Sequence, residues 1–299
     1  MIGYLPYRSE AARDSYFAYY DAMAKKKWPV ASEDRTVRTS QGETFVRITG
    51  PKDAPPLVML PGASAPSLMW APNVEALSAE YRTVAVDQIG DAGRSLWTKP
   101  VQTREDLVVW LNELFDGLEL GSRINLMGVS FGGWLSANYA RRYPERIAKA
   151  VLLAPGGAIM RIRAEFWIRI IIAMLRGQAG MRSAYTWMFP DMIRKDAGWI
   201  EEELERIAMG GKCLAHRRLP LPGVWTDAEL ASFRVPALVL VGEHEVIYDA
   251  GKLVRRLRRV APQIAVEVIP GAGHDLTMVQ ADLVDRRVLE FLRQPVSVR

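Results

Sequence analysis

Cysteine is nearly absent from this chain. Cys213 stands alone among 299 residues, so no disulfide can form within it, and a reducing compartment is the expected setting. Long apolar runs are missing as well. The most apolar stretch, residues 166–175, contains Arg169 and falls far short of the roughly 20 residues needed to span a bilayer. Met1 to Val30 shows no uninterrupted apolar core and no cleavage pattern, so a cytoplasmic location is expected. Neither sign of charge dominates: 39 Lys and Arg against 34 Asp and Glu give a net charge of +5. The densest basic run, Arg255-Arg256-Leu257-Arg258-Arg259, alternates at helical spacing with Leu253, Val254, Leu257 and Val260. It reads as the solvated face of an amphipathic helix, so neither nucleic acid nor a membrane is expected as a partner. No phosphate-binding loop and no His/Cys cluster at metal spacing occurs, which predicts no cofactor and no metal.

What the chain does have is a G-x-S-x-G pentapeptide, Gly128-Val129-Ser130-Phe131-Gly132. The apolar run Ile124–Met127 before it reads as a buried strand, and residues 133–142 after it read as a helix. Strand, sharp turn and helix make the nucleophile elbow of a hydrolase. The flanking glycines are required because a Cβ at 128 or 132 would collide with the neighbouring strand and helix. The helix N-terminus behind Ser130 directs free N–H groups to where an oxyanion would form.

The surrounding pattern is that of an α/β protein. Residues 8–27 have helical spacing and end in three lysines, with Trp28-Pro29-Val30 stopping them. Alternation over 44–49 predicts an edge strand. Short apolar runs follow at 57–60, 83–86, 124–127, 150–153, 237–241 and 266–269, with helical stretches such as 103–118 between most of them. Such alternation predicts a mostly parallel sheet with helices on both faces. About eighty residues between Leu153 and Ala237 carry no strand signal and many large aromatics. They read as a helical cap, residues 156–226, inserted in a core made of 1–155 and 227–299, over the strand ends where ligands bind in open α/β folds.

Serine needs a base, and three histidines allow elimination. His216 lies in the cap segment and reads as a surface residue. His244 follows the strand at 237–241. His274 sits in the glycine-rich loop Pro270-Gly271-Ala272-Gly273-His274 after the last strand, which can carry it over Ser130, so His274 is the expected base. A carboxylate must orient it. Glu245 is the first choice, and Asp249 the alternative, though Asp249 stands where it would cap the following helix. Ser130, Glu245 and His274 occur in the Ser…Asp/Glu…His order. For the oxyanion hole, Phe131 N–H is one expected donor, and Ala63, with Ser64 in reserve, the other. The turn Asp87–Ser95, rich in Gly and Asp, reads as structural, with active-site shaping as its functional alternative.

These residues, together with Lys27-Trp28-Pro29-Val30, Asp87-Gln88-Ile89-Gly90-Asp91, Trp225-Thr226-Asp227-Ala228-Glu229-Leu230 and Gly242-Glu243-His244-Glu245-Val246-Ile247-Tyr248-Asp249, carry a resemblance. The chain resembles the α/β-hydrolase superfamily over nearly its whole length, and is most similar to bacterial carboxylesterases of the carboxylesterase NP type. The resemblance implies the α/β-hydrolase fold with a helical cap, a glutamate as triad acid at Glu245, and hydrolysis of small-molecule esters, aryl-propionate esters above all. It also implies an apolar pocket at Phe166, Trp187 and Met188. Pro61-Gly62 stands where many relatives have His-Gly, which removes a side chain that braces the loop but leaves its backbone donor. Cleavage of C–C bonds and a non-catalytic receptor role are the alternatives on the same fold. A homodimer is compatible with the sequence.

Overall fold

The computed structural model describes residues 6–215 and 219–295. Among them, nine strands form one sheet: β1 (Glu33–Thr39), β2 (Gly42–Thr49), β3 (Pro56–Leu60), β4 (Arg82–Val86), β5 (Leu96–Trp97), β6 (Ile124–Val129), β7 (Ile147–Leu153), β8 (Ala237–Gly242) and β9 (Ile264–Ile269). Their order is β1-β2-β4-β3-β6-β7-β8-β9, with β5 pairing β2. The pairs from β4 through β9 are parallel, while β1 and β2 are antiparallel additions at one side. The helices are α1 (Glu10–Lys27), α2 (Ala71–Ser78), α3 (Arg104–Gly117), α4 (Phe131–Arg142), α5 (Ala164–Met188), α6 (Pro190–Lys195), α7 (Trp199–Cys213), α8 (Asp227–Ala231), α9 (Ala250–Val260), α10 (Leu276–Val279) and α11 (Ala281–Arg293). None among the described residues is long and apolar enough to cross a membrane.

The parallel strands β3, β6, β7 and β8 are buried almost throughout, as expected when both faces of a parallel sheet are covered. One apolar cluster, which includes Trp110, Trp134 and Tyr139, holds Val58 and Leu126; the other, around Trp70, Val284 and Val288, holds Leu57 and Met127. The two sets alternate along each strand, so they fall on opposite faces of the sheet.

Two local features correct the sequence reading. The segment 44–49 does not form an edge. It lies inside β2, between β1 and β4. The true edge, β1, is Glu-Asp-Arg-Thr-Val-Arg-Thr with only Val37 buried, and a charged strand of that kind has no apolar alternation to read. In β2, polar Thr44 is nonetheless buried and accepts from Trp110 Nε1 at 2.7 Å.

α5, α6, α7 and α8 occupy the interval between β7 and β8. Gly177, at φ 59° and ψ −137°, breaks α5 into two helical pieces, a conformation that costs glycine least. Ahead of the break, Phe166 and Ile170 pack inward while Ile168, Ile171, Ile172 and Leu175 are exposed. The outer four repeat at i, i+3, i+4 and i+7, so the piece is apolar on two faces. Cys213 and Leu214 at the end of α7 return to the N-terminal segment, with Arg8 N–H donating to Cys213 O and Ala215 N–H to Pro6 O.

Candidate active site

Ser130 sits between β6 and α4 at φ 53° and ψ −115°. A non-glycine residue there is strained, and the turn is held by neighbours on every side. Ser130 N–H donates to Leu153 O at 2.9 Å, and its own carbonyl accepts from Trp134 N–H and Gly156 N–H, each at 3.0 Å. The glycines are needed for space. A Cβ on Gly128 would lie 2.3 Å from the Gly132 backbone, and one on Gly132 would lie 2.3 Å from Leu60 O and 2.5 Å from Pro61 O. Ser130 thus heads α4, whose first N–H groups have no partner within the helix; that of Phe131 is one of them.

The other candidates arrive from parallel strands of the same sheet, all at their C-terminal ends. Glu245 follows β8, and His274 follows β9. Gly242 lets these two loops touch: a Cβ there would lie 2.2 Å from Gly273 O. Glu245 Oε2 and His274 Nδ1 are 2.8 Å apart, with both side chains buried. Glu245 Oε1 accepts from Ile247 N–H at 2.8 Å, so both carboxylate oxygens are engaged. Asp249 instead accepts from Lys252 N–H and caps α9, which lowers its carboxyl pKa chiefly through that backbone bond. His244 turns to the cap, where its Nδ1 is 3.0 Å from Asp191 Oδ2. His216 lies outside the described residues.

The loop after β3 approaches Ser130 closely, since a Cβ on Gly62 would be 3.6 Å from Ser130 Cβ. It forms a tight turn in which Ala65 N–H donates to Gly62 O and Ser64 takes φ 68°. Ser64 N–H donates to Asp91 Oδ2 at 2.6 Å, so of the two oxyanion candidates it is the one already committed. Asp91 lies in the turn 87–95, read from sequence as structural. Its carboxylate holds this loop, with Met69 Sδ taking Gly62 N–H at 3.3 Å. Asp87, at the head of the same turn, accepts from Ser67 N–H at 2.6 Å and Arg94 N–H at 2.7 Å, and burial raises its pKa.

Among the cap residues, Phe166 and Trp187 are half-buried against the main core and Met188 is buried in it. Trp187 also stacks under the Arg169 guanidinium, 4.7 Å from its ring centre. The aromatic ring found beside the histidine is Phe189, with centroids 6.3 Å apart. Nothing in the sequence marks Phe189 from its neighbours, because its position follows from the turn between α5 and α6. The cap meets the His274 loop once more where Met192 N–H donates to Asp275 Oδ2 at 2.8 Å. Arg206 of α7 donates to Ser64 O, a contact no sequence pattern announced.

Known proteins are similar to this chain over nearly its whole length. Carboxylesterase YbfK of Bacillus subtilis is 35% identical over 291 residues, covering 94% of this chain and 96% of the relative. The crystal structure of naproxen esterase (carboxylesterase NP) from Bacillus subtilis superposes with a TM-score of 0.87 at 34% identity, covering 96% of this chain and 100% of that one. That of carboxylesterase CesB (YbfK) from the same organism gives 0.83 at 33%, with coverage of 95% and 99%. The model of the alpha/beta hydrolase family matches residues 57–287. That span runs from β3 to α11 and takes in every strand end that carries a candidate residue, and the chain belongs to the alpha/beta hydrolase family.

Proposed function

We propose that this chain is a serine carboxylesterase that works through an acyl-enzyme on Ser130. Ser130 Oγ attacks the ester carbonyl while His274 Nε2 takes its proton. Glu245 holds the Nδ1–H tautomer and stabilises the imidazolium that forms. The Ala63 and Phe131 N–H groups receive the oxyanion. His274 returns the proton to the leaving alcohol, and a water activated by the same nitrogen releases the acid. The carrying observation is the buried 2.8 Å His274–Glu245 pair at the same edge of the sheet as the strained Ser130.

Residues 156–226 are the cap in this reading, with 1–155 and 227–299 as the core. Phe166, Trp187 and Met188 shape the acyl site, and aryl-propionate esters are its preferred substrates. That preference is supported by the similarity to naproxen esterase and by the weight of apolar side chains in α5. The lone Cys213 supports a cytoplasmic enzyme. C–C bond cleavage and a receptor role are not favoured, since relatives matching nearly the full chain are named carboxylesterases.

Turnover of p-nitrophenyl esters with short and aryl-propionyl acyl groups tests the reading. Steady multiple turnover is expected. A single stoichiometric release of p-nitrophenol with no further turnover would instead favour a receptor.

A further inference from the structure

Arg206 is an arginine in a place where arginine is expensive. It lies on α7 and is only 7% exposed. Its side chain does not end in solvent. Nε and Nη2 donate to Glu203 Oε2 at 3.0 and 2.6 Å, while Nη1 leaves the helix and donates to the carbonyl of Ser64. Burial works against the charge, but Glu203 together with Tyr185 and Tyr16 outweighs it and keeps the pKa above the usual arginine value. A buried guanidinium is kept only where its donors are satisfied. Here a helical neighbour satisfies two of them, and a backbone carbonyl 142 positions away satisfies the third.

That carbonyl belongs to the residue next to the candidate oxyanion donor. Ser64 occupies the third position of the turn Gly62–Ala65, at φ 68°. This is the position a type II turn normally gives to glycine. A serine stays there only if its neighbours hold it. Asp91 of the core holds its N–H, and Arg206 of the cap holds its C=O. The peptide planes on both sides of Ser64 are thereby fixed. The N–H of Ala63, one peptide earlier, is aimed by the same turn.

We infer that Arg206 is a positioning residue for the oxyanion hole: it ties the cap to the 61–65 loop and keeps the Ala63 N–H aimed at the oxyanion. It does not touch substrate. Its kinetic consequence rests on the carboxylesterase reading, but its effect on the loop does not. The observation assigns α7 a part in the chemical step as well as in covering the site.

The experiment uses the full chain with Arg206→Met, Arg206→Lys, and Arg206→Met combined with Glu203→Gln, so that no half-buried carboxylate is left unpaired. Hydrogen exchange of the amides in 62–65 is measured first, since it needs no turnover. It should speed up by about tenfold or more in both Met variants and less in Arg206→Lys, which keeps one donor. For ester hydrolysis, kcat should fall by roughly 10- to 100-fold with KM within about threefold, less than the loss of a whole oxyanion donor. The Kd of phenylboronic acid, which forms a tetrahedral adduct on the serine, should rise by the same factor as kcat falls. Arg206→Lys should recover part of both. Unchanged exchange in a folded double variant overturns the inference. So does a variant whose melting temperature drops while kcat per folded molecule stays at the wild-type value. If wild type itself fails to turn over esters, the carboxylesterase reading falls, and exchange alone decides the clamp.

Discussion

The elbow around Ser130 and the helices α5–α7 are built by different means. At the elbow the backbone is its own jig. Gly128 and Gly132 leave no room for a Cβ, and main-chain hydrogen bonds from β7 and α4 hold the strained serine. Helices α5–α7 rest on the sheet domain largely through side chains, Arg206 on Ser64, Asp191 on His244 and Glu202 on Lys26 and Lys27, with main-chain bonds at the ends of the segment, at Arg163, Cys213 and Ala215. Backbone packing tolerates one shape only, whereas side-chain contacts can be rebuilt with other partners. On the proposed function, reaction chemistry would be written into the elbow, and substrate preference into α5–α7.

Removing the nucleophile should break the elbow's function most. Ser130→Ala should lower kcat by roughly 10⁴-fold or more, with little change in melting temperature because a strained residue loses one oxygen. Kinetics and calorimetry on the same preparation check both halves. Next in size is the acid. Glu245→Gln should cost about 10²- to 10⁴-fold in kcat, while Asp249→Asn keeps an oxygen that caps α9 and should cost little activity. Side-by-side kinetics decide this, and the reverse ranking would reassign the triad.

Glycine substitutions compare the two regions directly. Gly132→Ala puts a methyl 2.3 Å from Leu60 O, and neither backbone can yield, so stability should fall by roughly 3 kcal/mol. Gly211→Ala in α7 meets nothing within 4 Å and should add roughly 0.5–1 kcal/mol. Urea denaturation of both variants reads the contrast. In the cap, Phe166→Ala or Trp187→Ala should shift preference between aryl-propionyl and acetyl esters by roughly 1–3 kcal/mol in kcat/KM, leaving Ser130 reactive. Unchanged preference with a lower melting temperature would mean that these side chains pack the cap and do not line the acyl site.

A buried acid sets a smaller, pH-dependent effect in the core. Asp285 accepts from Asn73 Nδ2 at 2.9 Å, and burial pushes its pKa up to about 7. A raised folded-state value means the unfolded carboxyl ionises first, so stability from this group is full below about pH 4 and is lost as pH rises through 7. Wild type should lose about 2 kcal/mol more than Asp285→Asn between pH 5 and 8, with denaturation curves at both pH values as the check.

The elbow, the strand sequence and the Glu245–His274 pairing were legible because each follows from residues adjacent in the chain. The hydroxyl between two glycines, the acid just past β8 and the histidine in a glycine-rich turn past β9 need only the rule that parallel strands end on one side. What escaped depended on distant partners. Arg206 reads as one more charge in Glu201-Glu202-Glu203-Leu204-Glu205-Arg206, an ordinary i, i+3 pair. Asp91 reads as a turn former. Phe189 reads as one aromatic among many, and β1, with only Val37 buried, carries no apolar alternation. Each acquires its role only when the cap or a neighbouring strand folds against it.

The most direct test is the site of covalent modification. A fluorophosphonate should label the wild-type chain once, and peptide mass mapping should place the adduct on the peptide containing Ser130, with no labelling of Ser130→Ala. An adduct on any other serine, with Ser130→Ala still hydrolysing esters, would contradict the whole account.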